Sequence, residues 1–359
     1  MMNTRPVTAT SIGINWGVDG KKLERAYKEH LSGFRVWDQL DHASDWTLYP
    51  ENCGLRLGID ETSLCDDLFT ILSNKDAHGG KGTVVAMVRG TRASDVIKVL
   101  MQLPESVRLA VSEVTMDFSD SMEAIVRKVF PNATIVIDCF HIVKRCTDAV
   151  EELRLKEKRE AVKEQKKMKA AFRKKLEKRV KARKAYRARH PKKYKGKKRG
   201  RKPMRLNEKF VPEEMANGDT AVELLTRSRC LLMKSGDKWS DSQKTRAALL
   251  FGKHPKIKEA HSLIDSLRSI FRNKKLDRDS ARTKLHDWYR SVAECTLREV
   301  KSARDTIRAK EEEVLNYFIG RSTNAYAESL NAKLKLFRAQ LHGVSDLPFF
   351  LYRVGVIFG

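Results

Sequence analysis

Between residues 55 and 142 the chain alternates between short apolar runs that suit strands and the three-to-four spacing of helices. LRLGIDETSL (55–64), LFTILSN (68–74) and TVVAMVRG (83–90) predict three strands. Asp66 and Asp67 join the first two, and the Gly-rich NKDAHGGKG joins the last two, so the links predict an antiparallel meander. RASDVIKVLMQLP then sets Val96, Val99, Leu100 and Leu103 at helical spacing and stops at Pro104. VRLAVSEVTMD (107–117) returns to strand. A helix with Ser119 or Ser121 at its cap carries Ile125, Val126 and Val129 inward and ends at Pro131. Continuously apolar ATIVIDCFHI (133–142) predicts a strand buried on both faces.

The resulting order, β-β-β-α-β-α-β, is that of a ribonuclease H-like domain. Ahead of it, GKKLERAYKEHLSGFRVWDQ (20–39) offers one helix with Leu23, Tyr27 and Leu31 spaced for packing, and Trp37 and Trp46 fall in a loop. Behind it, VELLTRSRCLLMKSG, SQKTRAALLFG, KIKEAHSLIDSLRSIFRN and the run 280–318 all keep helical spacing. The expected fold class is α/β, a ribonuclease H-like mixed sheet with a large, basic all-α insertion. Expected boundaries are an N-terminal segment 1–53, the first part of the core 54–150, the helical insertion 151–314, and C-terminal helices 315–359 that complete the core.

Composition changes this picture through charge. The 359 residues carry 72 Lys and Arg against 46 Asp and Glu, a formal net charge of +26. An excess of that size calls for a polyanionic partner, nucleic acid first. It is concentrated: residues 151–210 hold 28 Lys and Arg against 7 acids. Up to residue 190 this segment reads as a long helix with a thin apolar stripe. HPKKYKGKKRGRKPMR (190–205) then reads as a polycationic arm. A same-sign block repels itself unless phosphates neutralise it. Lys192, Lys193, Lys195, Lys197, Lys198, Arg199, Arg201 and Lys202 are accordingly candidate DNA-binding residues. No run of about 18 apolar residues predicts a membrane span, and the polar start lacks a signal-peptide core, so a cytoplasmic, nucleoid-associated protein is expected. The six cysteines form no CxxC pair, which argues against a structural zinc site and for reduced, mostly buried thiols.

Candidate chemistry follows from the strand order. If the first strand of the meander pairs with the fourth strand, Asp60 and Asp117 lie side by side at one edge of the core. Adjacent carboxylates repel, and a divalent cation between them reverses that, since Mg²⁺ takes oxygen ligands and uses one or two protein carboxylates plus substrate phosphate. RSTNAYAESLNAKLKLFRAQ (321–340) supplies a third acid. Its helical spacing puts Glu328, Asn331 and Lys335 on one face, with Ala327, Leu330, Leu334 and Phe337 toward the other. Packed on the sheet, this helix brings Glu328 to the aspartate pair and points Asn331 and Lys335 toward a phosphate backbone.

GIDE (58–61), VTMDFSDSM (114–122), FPNATIVIDCFHIVK (130–144) and VLNYFIGRSTNAYAESLNAKLK (314–335) together resemble the successive motifs of DDE transposases of the ISL-three insertion-sequence family. The resemblance extends over about residues 55–359. It implies Asp60, Asp117 and Glu328 as catalytic, metal-binding acids, with Glu61, Asp138, His141, Asn324 and Asn331 as supporting neighbours and Lys335 as a DNA contact. It implies two Mg²⁺ ions, with Mn²⁺ as a substitute, one activating water and one stabilising the leaving 3′ oxygen. The implied partners are element ends and target DNA, bound by a homo-oligomer, and no membrane. Members of that family commonly carry an N-terminal cysteine zinc module and a helix-turn-helix. Residues 1–53 show neither, so they are expected to be at most a remnant of a DNA-binding region, with a separate end-binding protein from a neighbouring reading frame as partner. A regulatory DNA-binding fragment and a structure-specific nuclease on the same fold are the alternatives. GxGxxG, GxxxxGK[ST], HExxH and GxSxG motifs are absent, against a conventional metabolic enzyme.

Overall fold

The computed structural model describes residues 1–191 and 208–359, which form two compact units. The first comprises Met1–Lys144, Asn273–Leu285 and Thr306–Gly359, and the second Arg145–Arg272 and His286–Asp305. The candidate arm residues, Lys192 through Lys202, lie outside the described residues.

The first unit carries a six-stranded mixed sheet in the order β1-β4-β3-β2-β5-β6. The strands are β1 Trp46–Leu48, β2 Arg56–Leu64, β3 Asp67–Asn74, β4 Val84–Arg89, β5 Glu113–Met116 and β6 Thr134–Ile137. β2, β3 and β4 form the expected antiparallel meander. Cys65 and Asp66, which link the paired Leu64 and Asp67, both take positive φ, 54° and 67°, as a two-residue hairpin with right-handed strand twist requires. β5 runs parallel to β2, and β6 parallel to β5. Val114, Met116, Ile135, Val136 and Ile137 are all buried, which is why this parallel part reads as continuously apolar.

Helices of this unit are α1 Ala9–Trp16, α2 Gly20–Ala26, α3 Ala93–Leu100, α4 Glu105–Ala110, α5 Asp120–Val129 and the start of α6 Cys139–Arg189. They continue with α7 Glu311–Leu315, α8 Tyr317–Gly320, α9 Ala325–Gln340 and α10 Leu347–Phe358. α3 and α5 pack together, α3 also on β1 and β4 and α5 on β5, whereas α9 lies along β2. Leu330, Leu334 and Phe337 of α9 share a core with Leu64, Phe69, Ile71, Val84 and Met87 of the sheet and Phe350 and Val354 of α10. Each such side chain stabilises the fold by about 1.5 to 3 kcal/mol when fully buried. That apolar seam holds α9 on the strand that carries Asp60. A second cluster joins Met2, Ala9, Tyr27 and Phe34 to Phe349 and Tyr352 of α10.

The structure corrects several expectations. The run 107–117 is strand only from Glu113: Pro104 opens α4 instead, its carbonyl accepting from the amides of Val107 and Arg108. The strand expected over 133–142 stops at Ile137 because Asp138 caps α6, accepting from Phe140 N at 3.0 Å. Trp46 is not in a loop but pairs with Val88 and so begins a sixth strand at the sheet edge. The helix expected over 20–39 ends in a π turn at Tyr27–Leu31, where Tyr27 is buried but Leu31 is exposed. All six cysteines are free, yet only Cys146 and Cys295 are buried.

The second unit is helical, with Ala221–Arg227, Arg229–Leu232, Asp241–Lys253 and Pro255–Arg272 beside parts of α6 and of the helices Arg278–Glu294 and Arg298–Ala309. Its core includes Leu224, Leu231, Leu250, Ile264, Leu267, Val292 and Val300. Buried Arg268 ties three segments together by donating to Thr147 Oγ1, Met233 O and Asp265 Oδ1. Among the described residues, no helix is long and apolar enough to cross a membrane.

Candidate active site

The parallel pairing of β2 with β5 runs to Gly58 opposite Thr115, and Asp60 and Asp117 each follow two residues later. α9 seats closely on this part of β2. A Cβ at Gly58 would meet Asn324 Oδ1 at 2.6 Å, so a larger residue there would have to displace the Asn324 side chain. Asn324 Nδ2 donates to Ile59 O at 3.2 Å, and two turns further on Asn331 Nδ2 donates to Asp60 Oδ2 at 2.7 Å. The sequence places Asn331 toward a phosphate backbone. In the structure it is buried and spent on Asp60, because that face of α9 lies against the strand. Lys335 and Glu328 are exposed.

Asp138, only 2% exposed, does two structural jobs with one carboxylate. Its Oδ1 caps α6 through Phe140 N, and its Oδ2 accepts from Asn324 N at 3.2 Å, at the start of α9. The partial positive ends of two helices therefore converge on it. His141 sits in the first turn of α6 and Glu328 in the first turn of α9. As a result, ligand atoms of Asp138, His141 and Glu328 all lie within 4.8 Å of one another. Asp117 adjoins this trio, with Oδ1 2.9 Å from His141 Nε2. Among the described residues, His141 is the basic group that this buried oxygen faces. Sequence reasoning gave Asp138 and His141 only a supporting place. The spacing of DCFH, an acid ending a strand and a histidine one helical turn later, is the signal that could have raised them.

Electrostatics tie the two aspartates to the trio. Burial pushes the Asp60 carboxyl up, repulsion from Asp117 adds to it and Glu328 adds less, while the Glu61 amide and His141 pull the other way; the result is about 6. Burial, then Asp117, raises Glu61 as well. For His141, burial alone lowers the affinity for a proton, but contact with Asp117 and the charge of Asp138 outweigh it and the pKa rises. Among the described residues no Lys or Arg forms an ion pair with Asp60, Glu61, Asp117, Asp138 or Glu328, although the chain carries a net charge of +26. Carboxylates that pair with no Lys or Arg among the described residues, and three donors within 4.8 Å of one another, suit a divalent cation.

A family model described as a transposase, that of the ISL-three DDE type, matches residues 57–211 and 205–354. No curated protein and no solved structure gives a significant match. The matched span takes in β2, β5, β6, the start of α6 and α9, hence every residue of the acidic cluster. The chain belongs to the ISL-three family of DDE transposases.

Proposed function

We propose that this transposase cuts DNA strands by metal-dependent phosphodiester cleavage and joins the released 3′ ends to target DNA, on a ribonuclease H-like sheet. The observation that carries this reading is the convergence of Asp60, Asp117, Asp138, His141 and Glu328, none of which pairs with a Lys or Arg among the described residues of a strongly basic chain. The topology supports the fold assignment: an antiparallel meander, then two strands parallel to its first member, with helices between them.

Asp60, Asp117 and Glu328 would hold the divalent metal, with Asp138 and His141 adjoining them. The oxygen-rich set suits Mg²⁺, and an imidazole nitrogen also admits Mn²⁺. When bound, such a cation supplies Lewis-acid stabilisation of the charge that develops at the scissile phosphate. The chain's own residues prepare the site. Asn331 and the Glu61 amide each hold one oxygen of Asp60, fixing the carboxylate plane. Asp138 sets the starts of α6 and α9, and with them His141 and Glu328. His141 Nε2 holds a proton beside Asp117 more firmly than a free imidazole does. Lys335, exposed two turns beyond Glu328, and the arm beyond α6 offer cations to the DNA backbone.

The test is a Mg²⁺-dependent assay on duplexes carrying the element's own ends, read for strand cleavage and for joining of 3′ ends to a plasmid. Asp60→Asn, Asp117→Asn and Glu328→Gln should each abolish both reactions and leave DNA binding intact. Cleavage without joining would turn the reading toward a nuclease, and binding without either reaction toward a regulatory DNA-binding protein.

A further inference from the structure

Arg353, in α10, is 2% exposed and forms no ion pair among the described residues. Its Nη2 donates to Met2 O at 3.1 Å and to Val7 O at 2.9 Å, while Nε is buried without a partner. The guanidinium lies over the rings of Phe337 and Tyr27, 4.7 and 5.8 Å from their centroids. Burial lowers its pKa, an effect that Tyr27 and Glu24 offset only in part. Backbone carbonyls and ring faces solvate this cation but do not neutralise it, and a buried charge without a counterion is costly. Tethering residues 2 and 7 would not by itself call for a full charge at this depth.

The side chain lines a cavity of about 700 Å³. Thr8, Thr10 and Ser11 at the start of α1 and His342 and Ser345 in the turn after α9 also line it. α1 is eight residues long and capped by Thr8, whose Oγ1 accepts from Ser11 N, so its partial positive end also meets the cavity. Two acids share the lining. Asp346 is already ion-paired with Lys28 and caps α10 through Phe349 N, and Glu24 is exposed. Arg353 is thus the buried charge of this lining that no acid pairs with among the described residues.

We propose that this cavity is an anion site that takes a phosphate group, with Arg353 as its floor and the start of α1 as its wall. It is separate in sequence and in lining residues from the acidic cluster around Asp60. The proposal rests on the DNA reading above only for the source of the phosphate: a 5′-phosphorylated strand end and free inorganic phosphate offer the same chemistry.

The test uses the full chain without metal or catalysis, so it is independent of whether the protein cleaves DNA. Melting temperature is followed against sodium phosphate, with sodium chloride at matched ionic strength as reference. At ten times the dissociation constant, wild type should gain about 2 to 3 °C over chloride. Ser345→Asp adds a carboxylate to the lining that Ser345 shares with Arg353: it should raise the melting temperature in chloride and remove the phosphate increment. Arg353→Met should also lose the increment, and if that variant does not fold, Ser345→Asp carries the decision. A phosphate increment equal in wild type and Ser345→Asp would place the anion elsewhere, for example on the polycationic arm, and overturn the proposal. So would no increment in wild type. A 5′-phosphorylated trinucleotide, compared with its unphosphorylated form, assigns the source. A Ser345→Asp-sensitive gain at lower concentration than inorganic phosphate identifies a strand end, and a gain with inorganic phosphate alone identifies the free anion.

Discussion

Asn331 Nδ2 donates to Oδ2 of Asp60 across 2.7 Å, and it does so as a neutral group. A lysine in its place would neutralise the carboxylate; an amide orients it and leaves its charge for a cation. Asn331→Leu should therefore lower single-turnover cleavage by about 10- to 100-fold, the usual cost of losing a partner that orients a metal-binding group. DNA affinity should not change. Cleavage within two-fold of wild type would show the bond to be dispensable.

Asp60 also predicts a pH dependence of stability. Its folded pKa of about 6 lies above the ordinary value of about 3.9 for a free aspartate. The native state thus binds the proton more tightly. That contribution is fully present below about pH 4 and is lost as pH rises through 6, after which the ionised group opposes folding by at most about 3 kcal/mol. Metal-free Asp60→Asn should melt several degrees above wild type at pH 8 and close to it at pH 4. Parallel melting curves across that range would refute the assignment of strain to Asp60.

Much of this architecture was legible because it depends on local pattern. The meander announced itself through three apolar runs with short polar links, and of the two cap candidates, Ser119 and Ser121, it is Ser119 that sits at the N-cap of α5, accepting from Met122 N. What the sequence hid were competitions between neighbours. Val107–Ala110 alternate well enough for a strand, but Pro104 starts a helix first. Cys139–Ile142 continue the apolar run of β6, but one capping carboxylate turns them into helix. Spacing alone grouped Asn331 with Glu328 and Lys335, yet it is buried with Leu330 and Leu334 while those two are exposed. Its burial depends on how closely α9 seats at Gly58, which is a tertiary distance and not a periodicity.

Divalent cations should raise the melting temperature of the metal-free protein, and the gain should separate the roles of two acids. Glu328 is exposed and makes no ion pair among the described residues, so Glu328→Gln should remove most of the Mg²⁺ or Mn²⁺ increment at little cost in chelator. Asp138 caps one helix and holds the start of another, so Asp138→Ala should lower stability in chelator by about 2 to 4 kcal/mol, one cap being worth about 0.5 to 2. Thermal melts in chelator and in metal check both. A large loss in chelator from Glu328→Gln would make it a structural residue.

The polycationic arm gives a prediction that depends only on charge. Residues 190–205 contain 9 Lys and Arg and no acid, between a basic α6 and the rest of the helical insertion. Cations that touch phosphates release condensed counterions, and each contact contributes about 0.9 to the slope of log K against log salt on duplex DNA. If six of the nine make contact, deleting 190–205 should flatten that slope by about 5, while cleavage per bound complex stays unchanged because the acidic cluster lies on other elements. The loss should be the same on element ends and on scrambled duplex, since contacts to phosphate carry no sequence information. Filter binding or anisotropy between 50 and 200 mM salt measures it. An unaltered slope would show that α6 and the remaining helices supply the phosphate contacts and that the arm is a spectator.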